Sequence, residues 1–166
     1  MPLDEHAVAQ IYREHAPMLR RLVTHATGDA QRAEDVVQEV ILRLWRQAPA
    51  VENVRAYLAQ SVRNLLIDQY RAAARRPIEA VPLDGIPAAP DPVAQIDRAL
   101  DRVLVEEALA RLSAEHRDVV RALHYERQTV AETAGRLGVP EGTVKSRAYY
   151  ALRHLRVVLD EMGVTR

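Results

Sequence analysis

A chain of 166 residues, 48% of them hydrophobic, has room for one domain or for two small ones near the lower limit for an independent core. Its apolar residues are mostly Ala, Val and Leu, with no Phe and one Trp, which favours helices over a β-sandwich. The absence of Cys excludes disulfides, Cys-ligated zinc and thiol catalysis, and 23 Lys+Arg against 23 Asp+Glu leave the chain formally neutral.

The opening stretch, MPLDEHAVAQ, is acidic rather than signal-like, and the apolar runs are only a few residues long. A cytoplasmic protein without a membrane span is therefore expected. The first predicted helix places Val8, Ile11, Tyr12, His15, Leu19, Leu22, Val23 and Ala26 on one stripe, with a kink or break at Pro17. Gly28 suits its C-terminal stop and Asp29 the N-cap of the next helix. That second helix carries Ala33, Val36, Val37, Val40, Ile41, Leu44 and Trp45 at strict helical spacing, and Pro49 ends it. Asn53 caps a third, striped by Val54, Tyr57, Leu58, Ser61, Val62, Leu65 and Leu66.

Five prolines fall within residues 76–96, at 77, 82, 87, 90 and 92, so this segment reads as an extended linker. Beyond it a helix is expected from about Asp97 to Leu112. Ser113 then caps a helix bearing Val119, Val120 and Leu123. The Thr129-x-x-Glu132 capping box opens the next, with Val130, Thr133, Ala134 and Leu137 inward. Gly138 stops it, and Pro140 suits the first turn of a final helix with Val144, Ala148, Ala151, Leu152 and Leu155 inward. The expected architecture is all-α: a three-helix domain over 1–75, the linker over 76–96, and a four-helix domain over 97–166 with a helix-turn-helix at about 129–156.

In the final helix, Lys145, Ser146, Tyr149, Arg153 and Arg156 face outward, Arg147 and Tyr150 flank them, and Glu141 and Thr143 lead. Arg can take a guanine edge in two hydrogen bonds, and Lys and Ser suit phosphates, so this face suits DNA. A helical hairpin with a solvated basic face is the plain alternative. Charge bears on the choice: residues 1–75 hold 10 basic and 9 acidic residues, and 97–166 hold 12 and 11. Any DNA-binding face is local, and with about four to six phosphate contacts it binds duplex weakly at physiological salt. A second source of affinity is needed.

The segment EDVVQEVILRLW, Glu34–Trp45, turns Glu34, Asp35, Gln38, Glu39 and Arg43 outward. Taken in order with RAYLAQSVRNLLIDQYR, the proline-rich linker, LSAEHRDVVRAL and AETAGRLGVPEGTVKSR, it makes the whole chain resemble the extracytoplasmic-function (ECF) sigma factors of the sigma-70 family. The resemblance implies that Glu34, Asp35, Val36, Gln38 and Glu39 dock on the β′ clamp of core RNA polymerase, with the β flap as a further contact. It implies that Asn53, Arg55, Tyr57, Arg63, Asn64 and Arg71 open and read the promoter −10 element. It assigns the −35 element to Glu141, Thr143, Lys145, Ser146, Arg147 and Arg153. The chain ends about ten residues past this basic face, so regulation in trans by an anti-sigma factor is expected rather than a C-terminal regulatory domain.

Several of these residues have structural alternatives: Asn53 as an N-cap, Tyr57 and Trp45 as core, Arg71, Arg75 and Arg76 as a helix C-terminus favoured by its dipole. The sequence also departs from the family pattern. Arg127-Gln128 stands where Gly commonly precedes the helix-turn-helix, Thr133 replaces a larger aliphatic residue, and Tyr149-Tyr150 replaces smaller or basic ones. No catalytic set, phosphate loop or His pair at ligand spacing is present, so neither enzymatic chemistry, a small-molecule substrate, a cofactor nor a metal is expected. The rival readings are an autonomous helix-turn-helix regulator that dimerises on an operator, and a helical adaptor that binds only proteins.

Overall fold

The structure is a computed structural model that describes residues 3–47, 49–75 and 91–163. Among them every regular element is helical: α1 Glu5–Thr27, α2 Ala30–Gln47, α3 Val54–Ala74, α4 Pro92–Ala110, α5 Ala114–Val120, α6 Val130–Leu137 and α7 Glu141–Glu161. The chain divides into two compact units, Met1–Val103 and Leu104–Arg166.

Local chemistry sets the helix ends of the first unit. Asp4 accepts from Ala7 N at 2.7 Å and starts α1. Gly28, at φ +73°, returns its N–H to the Thr24 carbonyl and ends it, the left-handed geometry that glycine adopts most easily. Asp29 then caps α2 through Arg32 N at 3.0 Å. Asn53 caps α3 through Ala56 N at 2.9 Å. Proline 17 neither breaks nor ends α1, which is continuous from Glu5 to Thr27. Its missing N–H costs one backbone bond, while Ala16, Met18, Leu19 and Leu22 on either side are all buried, so packing holds the two halves as one helix.

One core unites the three helices: Leu19, Leu22 and Val23 from α1, Val36, Val37, Val40 and Leu44 from α2, and Leu58, Val62 and Leu66 from α3. Each fully buried leucine there contributes about 1.5–3 kcal/mol. Trp45, expected on the same stripe, is 41% exposed, and its indole N–H donates to the Leu3 carbonyl at 2.9 Å. The Leu3 carbonyl satisfies the indole at the surface, where a large ring with one polar edge fits better than in a tight aliphatic core.

The fourth helix begins at Pro92 rather than Asp97. Proline is well suited to a first helical position, and Asp91 caps it through Val93 N at 3.0 Å. Ile96, Ala99 and Val103 on its front half join the core of the first unit, and the Gln95 amide donates to the Ala26 carbonyl at 3.0 Å. The remainder of the expected linker, residues 76–90 with Arg76, lies outside the described residues.

The second unit is built on two small apolar clusters. Leu112, Val120 and Ala151 form one, with Leu109 and Leu155 against them. Val119, Ala134 and Val144 form the other, with Leu123, Val130, Leu137, Val139 and Ala148. Leu152, expected inward, is 49% exposed. Ser113 caps α5 through His116 N at 3.3 Å, and after Val120 the helix widens into a π-type turn over Arg121–Tyr125. The capping box of α6 is complete: Thr129 Oγ1 accepts from Glu132 N at 3.2 Å, and Glu132 accepts from Thr129 N at 2.7 Å. Gly138 (φ +65°) and Val139 both return their N–H groups to the Ala134 carbonyl, and three residues later α7 begins.

Arg127, just before the capping box, sits at φ +53°. This is the left-handed region, unfavourable for a residue with a Cβ and natural for glycine. The departure noted in the sequence thus has a backbone meaning: the turn keeps its shape with arginine in a glycine-type conformation.

Candidate nucleic-acid interface and docking face

The outer face of α2 follows from its amphipathic spacing. With Ala33, Val36, Val37, Val40, Ile41 and Leu44 inward, Asp35, Gln38, Glu39, Leu42, Arg43 and Arg46 line one shallow groove along the helix. Asp35, Gln38 and Glu39 are exposed, and Glu39 pairs with Arg43 one turn on. Val36 is 2% exposed and supports this face from beneath rather than lining it.

Glu34, which precedes Asp35 and does not line the groove, is held from α1. Arg20 Nε donates to one carboxylate oxygen at 2.6 Å, and Tyr12 Oη donates to the other at 2.7 Å. Arg20 Nη2 also donates to Tyr12 Oη at 2.6 Å, with the guanidinium 5.4 Å from the Tyr12 ring centre. The hydrogen bonds from Arg20, then from Tyr12, hold the Glu34 carboxyl down to about 2, from an ordinary 4.5. The Tyr12 phenol is raised, first by its bond to Glu34 and then by burial. Sequence reasoning did not find Tyr12 and Arg20 as partners of Glu34, because contacts 22 and 14 residues apart leave no local pattern.

On α3, the residues expected at the −10 element are mostly engaged within the fold. Asn53 caps the helix, and Arg55 is buried. Tyr57 is half-buried against the core, with its hydroxyl 3.5 Å from Gln47 Oε1. Arg63 makes a two-pronged bond to Asp97 of α4, Nε and Nη2 each donating to one carboxylate oxygen, the longer at 3.1 Å. This pairing raises Arg63 and lowers Asp97 from their ordinary values. Asn64 is exposed and accepts from Gln60 at 3.0 Å. Arg71 is exposed near the end of α3, with no ion pair to a described residue.

On α7, Glu141, Lys145, Ser146 and Arg153 are exposed. Thr143 is half-buried, and its carbonyl accepts from Ser146 Oγ at 3.1 Å. Arg147 turns back toward α5: its side chain is 22% exposed and Nη2 lies 3.2 Å from Glu115 Oε2. Thr133, fully buried beneath the turn, satisfies its hydroxyl on the Thr129 carbonyl at 2.9 Å. The structure therefore leaves α7 with a short basic and hydroxyl strip pointing outward. Among the described residues no helix is long and apolar enough to cross a membrane, and no group of three or more His, Cys, Asp or Glu is placed to hold a metal.

The outward polar features of the described residues are a groove with two carboxylates, an amide and two arginines on one unit, and a basic and hydroxyl strip on a helix-turn-helix of the other, the kind of surface a DNA-binding protein presents. Residues 11–76 match the profile of Sigma-70 region 2, and residues 108–157 match Sigma-70, region 4. The chain is 44% identical to the ECF RNA polymerase sigma factor SigL of Mycobacterium tuberculosis, over 94% of this chain and 90% of that one. It is 35% identical to the RNA polymerase sigma-E factor of Streptomyces coelicolor, over 87% and 81%. Among solved structures it aligns with the sigma factor RpoE in complex with the anti-sigma factor NepR from Bartonella quintana, at 23% identity and TM-score 0.37, covering 92% and 96% of the two chains. The chain belongs to the ECF sigma factors of the sigma-70 family.

Proposed function

We propose that this chain binds core RNA polymerase through the outer face of α2 and carries it to promoters, with α3 at the −10 element and α7 at the −35 element. On this reading residues 1–75 form sigma domain 2, residues 76–96 the linker and residues 97–166 sigma domain 4, and the protein works in the cytoplasm. Helix α4 starts inside that linker at Pro92 and packs Ile96, Ala99 and Val103 on the first unit. The observation that carries it is a pair of outward faces, one bearing Asp35, Gln38 and Glu39 on α2 and the other Lys145, Ser146 and Arg153 on α7. Neutral net charge fits a factor whose affinity for DNA is supplied by polymerase rather than by its own phosphate contacts. The β′ clamp is the partner assigned to α2, the β flap to the second domain, and an anti-sigma factor is the partner assigned to the inactive state.

Run-off transcription with purified core enzyme, with and without this chain, tests the reading. A promoter-specific transcript that requires the chain is expected; its absence on every template selected from a random library rejects it. Reversing charge with Asp35→Lys or Glu39→Lys leaves the buried stripe intact. Either change is expected to abolish co-purification with core polymerase while circular dichroism and the melting temperature stay at wild-type values.

A further inference from the structure

Tyr149 is not among the residues that the resemblance assigns to the −35 element, yet it occupies the middle of the outward α7 face. At 100° per residue it lies within about 20° of the point opposite the buried line of Val144, Ala151 and Val158. Ser146, Tyr149, Tyr150 and Arg153 stand at offsets of three, four and seven residues, the same spacing with which the third helix of a homeodomain reaches base edges in the major groove. Arg147, by contrast, is turned toward α5 and tied to Glu115. Tyr149 is 58% exposed, and its ring has a neighbour on either side. Tyr150 packs edge-to-face at 5.3 Å between centres, and the Arg153 guanidinium lies 6.0 Å from the ring centre.

We infer that Tyr149 is a specificity-determining residue of the −35 contact, and that its ring packs against the C5-methyl group of a thymine in the major groove. This rests on the assignment of α7 to the −35 element. The chemistry follows from what the groove floor offers. Donors and acceptors suit Arg153 and Ser146, whereas the one apolar group on a base edge is the thymine methyl, and a positioned aromatic ring meets it without leaving a polar atom unpaired. The flanking Lys145 faces the groove wall, where phosphates lie.

The test uses holoenzyme reconstituted from the full chain and core polymerase, on a −35 element selected from a random library. Each thymine of that element is replaced in turn by deoxyuridine, which removes the methyl and nothing else. At one position wild-type holoenzyme is expected to lose about three- to tenfold in promoter affinity. Tyr149→Ala should lose a similar factor on the thymine template and be indifferent to deoxyuridine there, and Tyr149→Phe should keep the discrimination. The inference is overturned if the selected element holds no thymine, if wild type ignores every deoxyuridine, or if Tyr149→Ala still discriminates. Loss of discrimination in Tyr149→Phe also overturns it, by assigning the contact to the hydroxyl. Arg153→Ala separates the two levels. If it weakens dependence on the −35 element while Tyr149→Ala does not, only this inference fails; if neither does, the assignment of α7 itself fails.

Discussion

The two helices assigned to DNA differ in how much of their polar chemistry the fold already uses. On α3, Asn53 caps, Arg55 is buried, Tyr57 leans on the core, Arg63 is clasped by Asp97, and Asn64 is bonded to Gln60. On α7, Lys145 and Arg153 project without an ion pair to any described residue, while Arg147 is tied back to Glu115 and the Ser146 hydroxyl donates to the Thr143 carbonyl. A helix that reads the edges of intact duplex works best with its donors already outward, since the groove brings the acceptors to it. Contacts to an opened strand form only after base pairs are broken, so a surface that must exchange internal partners for DNA is compatible with that later step. On the proposed assignment, the difference separates a face that is ready from one that, Arg71 apart, has to be released.

The largest expected effect breaks the ready face. Arg153→Ala should lower affinity for a selected −35 duplex about 10- to 100-fold in holoenzyme binding assays, the range for losing a good two-bond base contact. A loss that is uniform across all −35 sequences would instead place Arg153 on a phosphate.

Next in size is release of the engaged face. Asp97→Asn removes the carboxylate that holds Arg63 and should raise holoenzyme affinity for a −10 single strand severalfold, with little change at −35. Stability should fall by no more than about 1 kcal/mol, because both side chains of the pair are partly exposed and screened by solvent. Unchanged −10 affinity would mean that the Arg63–Asp97 pair is scaffolding only.

A smaller effect concerns the turn that presents α6 and α7. Arg127→Gly relieves the left-handed strain at φ +53° and should stabilise the second unit by about 0.5–1 kcal/mol in thermal unfolding, whereas Arg127→Val should destabilise it. The smallest is electrostatic and confined to the first unit. Glu34, lowered to about 2 from 4.5, binds fewer protons folded than unfolded across that interval. Its contribution is therefore complete above about pH 4.5 and is lost as pH falls toward 2. Glu34→Gln should flatten the acid limb of the stability profile over that window and leave the second unit's acid response unchanged.

Much of this was legible in the residues. Gly28, Asp29, Asn53, Ser113, the Thr129–Glu132 box and Gly138 each act on backbone groups within a few positions, and each stands where its chemistry predicts. The stripes of α2 and α3 were readable for the same reason, since residues three and four apart meet on one side of a helix. Trp45 and Leu152 kept that spacing and still lie at the surface, because periodicity gives a direction around the helix and not the presence of a neighbour in that direction. The continuity of α1 through Pro17 depended on apolar burial either side of it.

By itself, then, the sequence determined the all-α class, the places where most of these helices start and stop, the order of the motifs that mark the family, and an outward basic and hydroxyl strip on α7. These follow from interactions a turn or less apart, which the chain carries wherever it goes. Only the tertiary structure decided which charges are already paired: Glu34 with Arg20 and Tyr12, Arg63 with Asp97, and Arg147 with Glu115. Each joins side chains on different helices 14 to 34 residues apart, and a charge so distant in sequence becomes a partner only when packing brings the helices together.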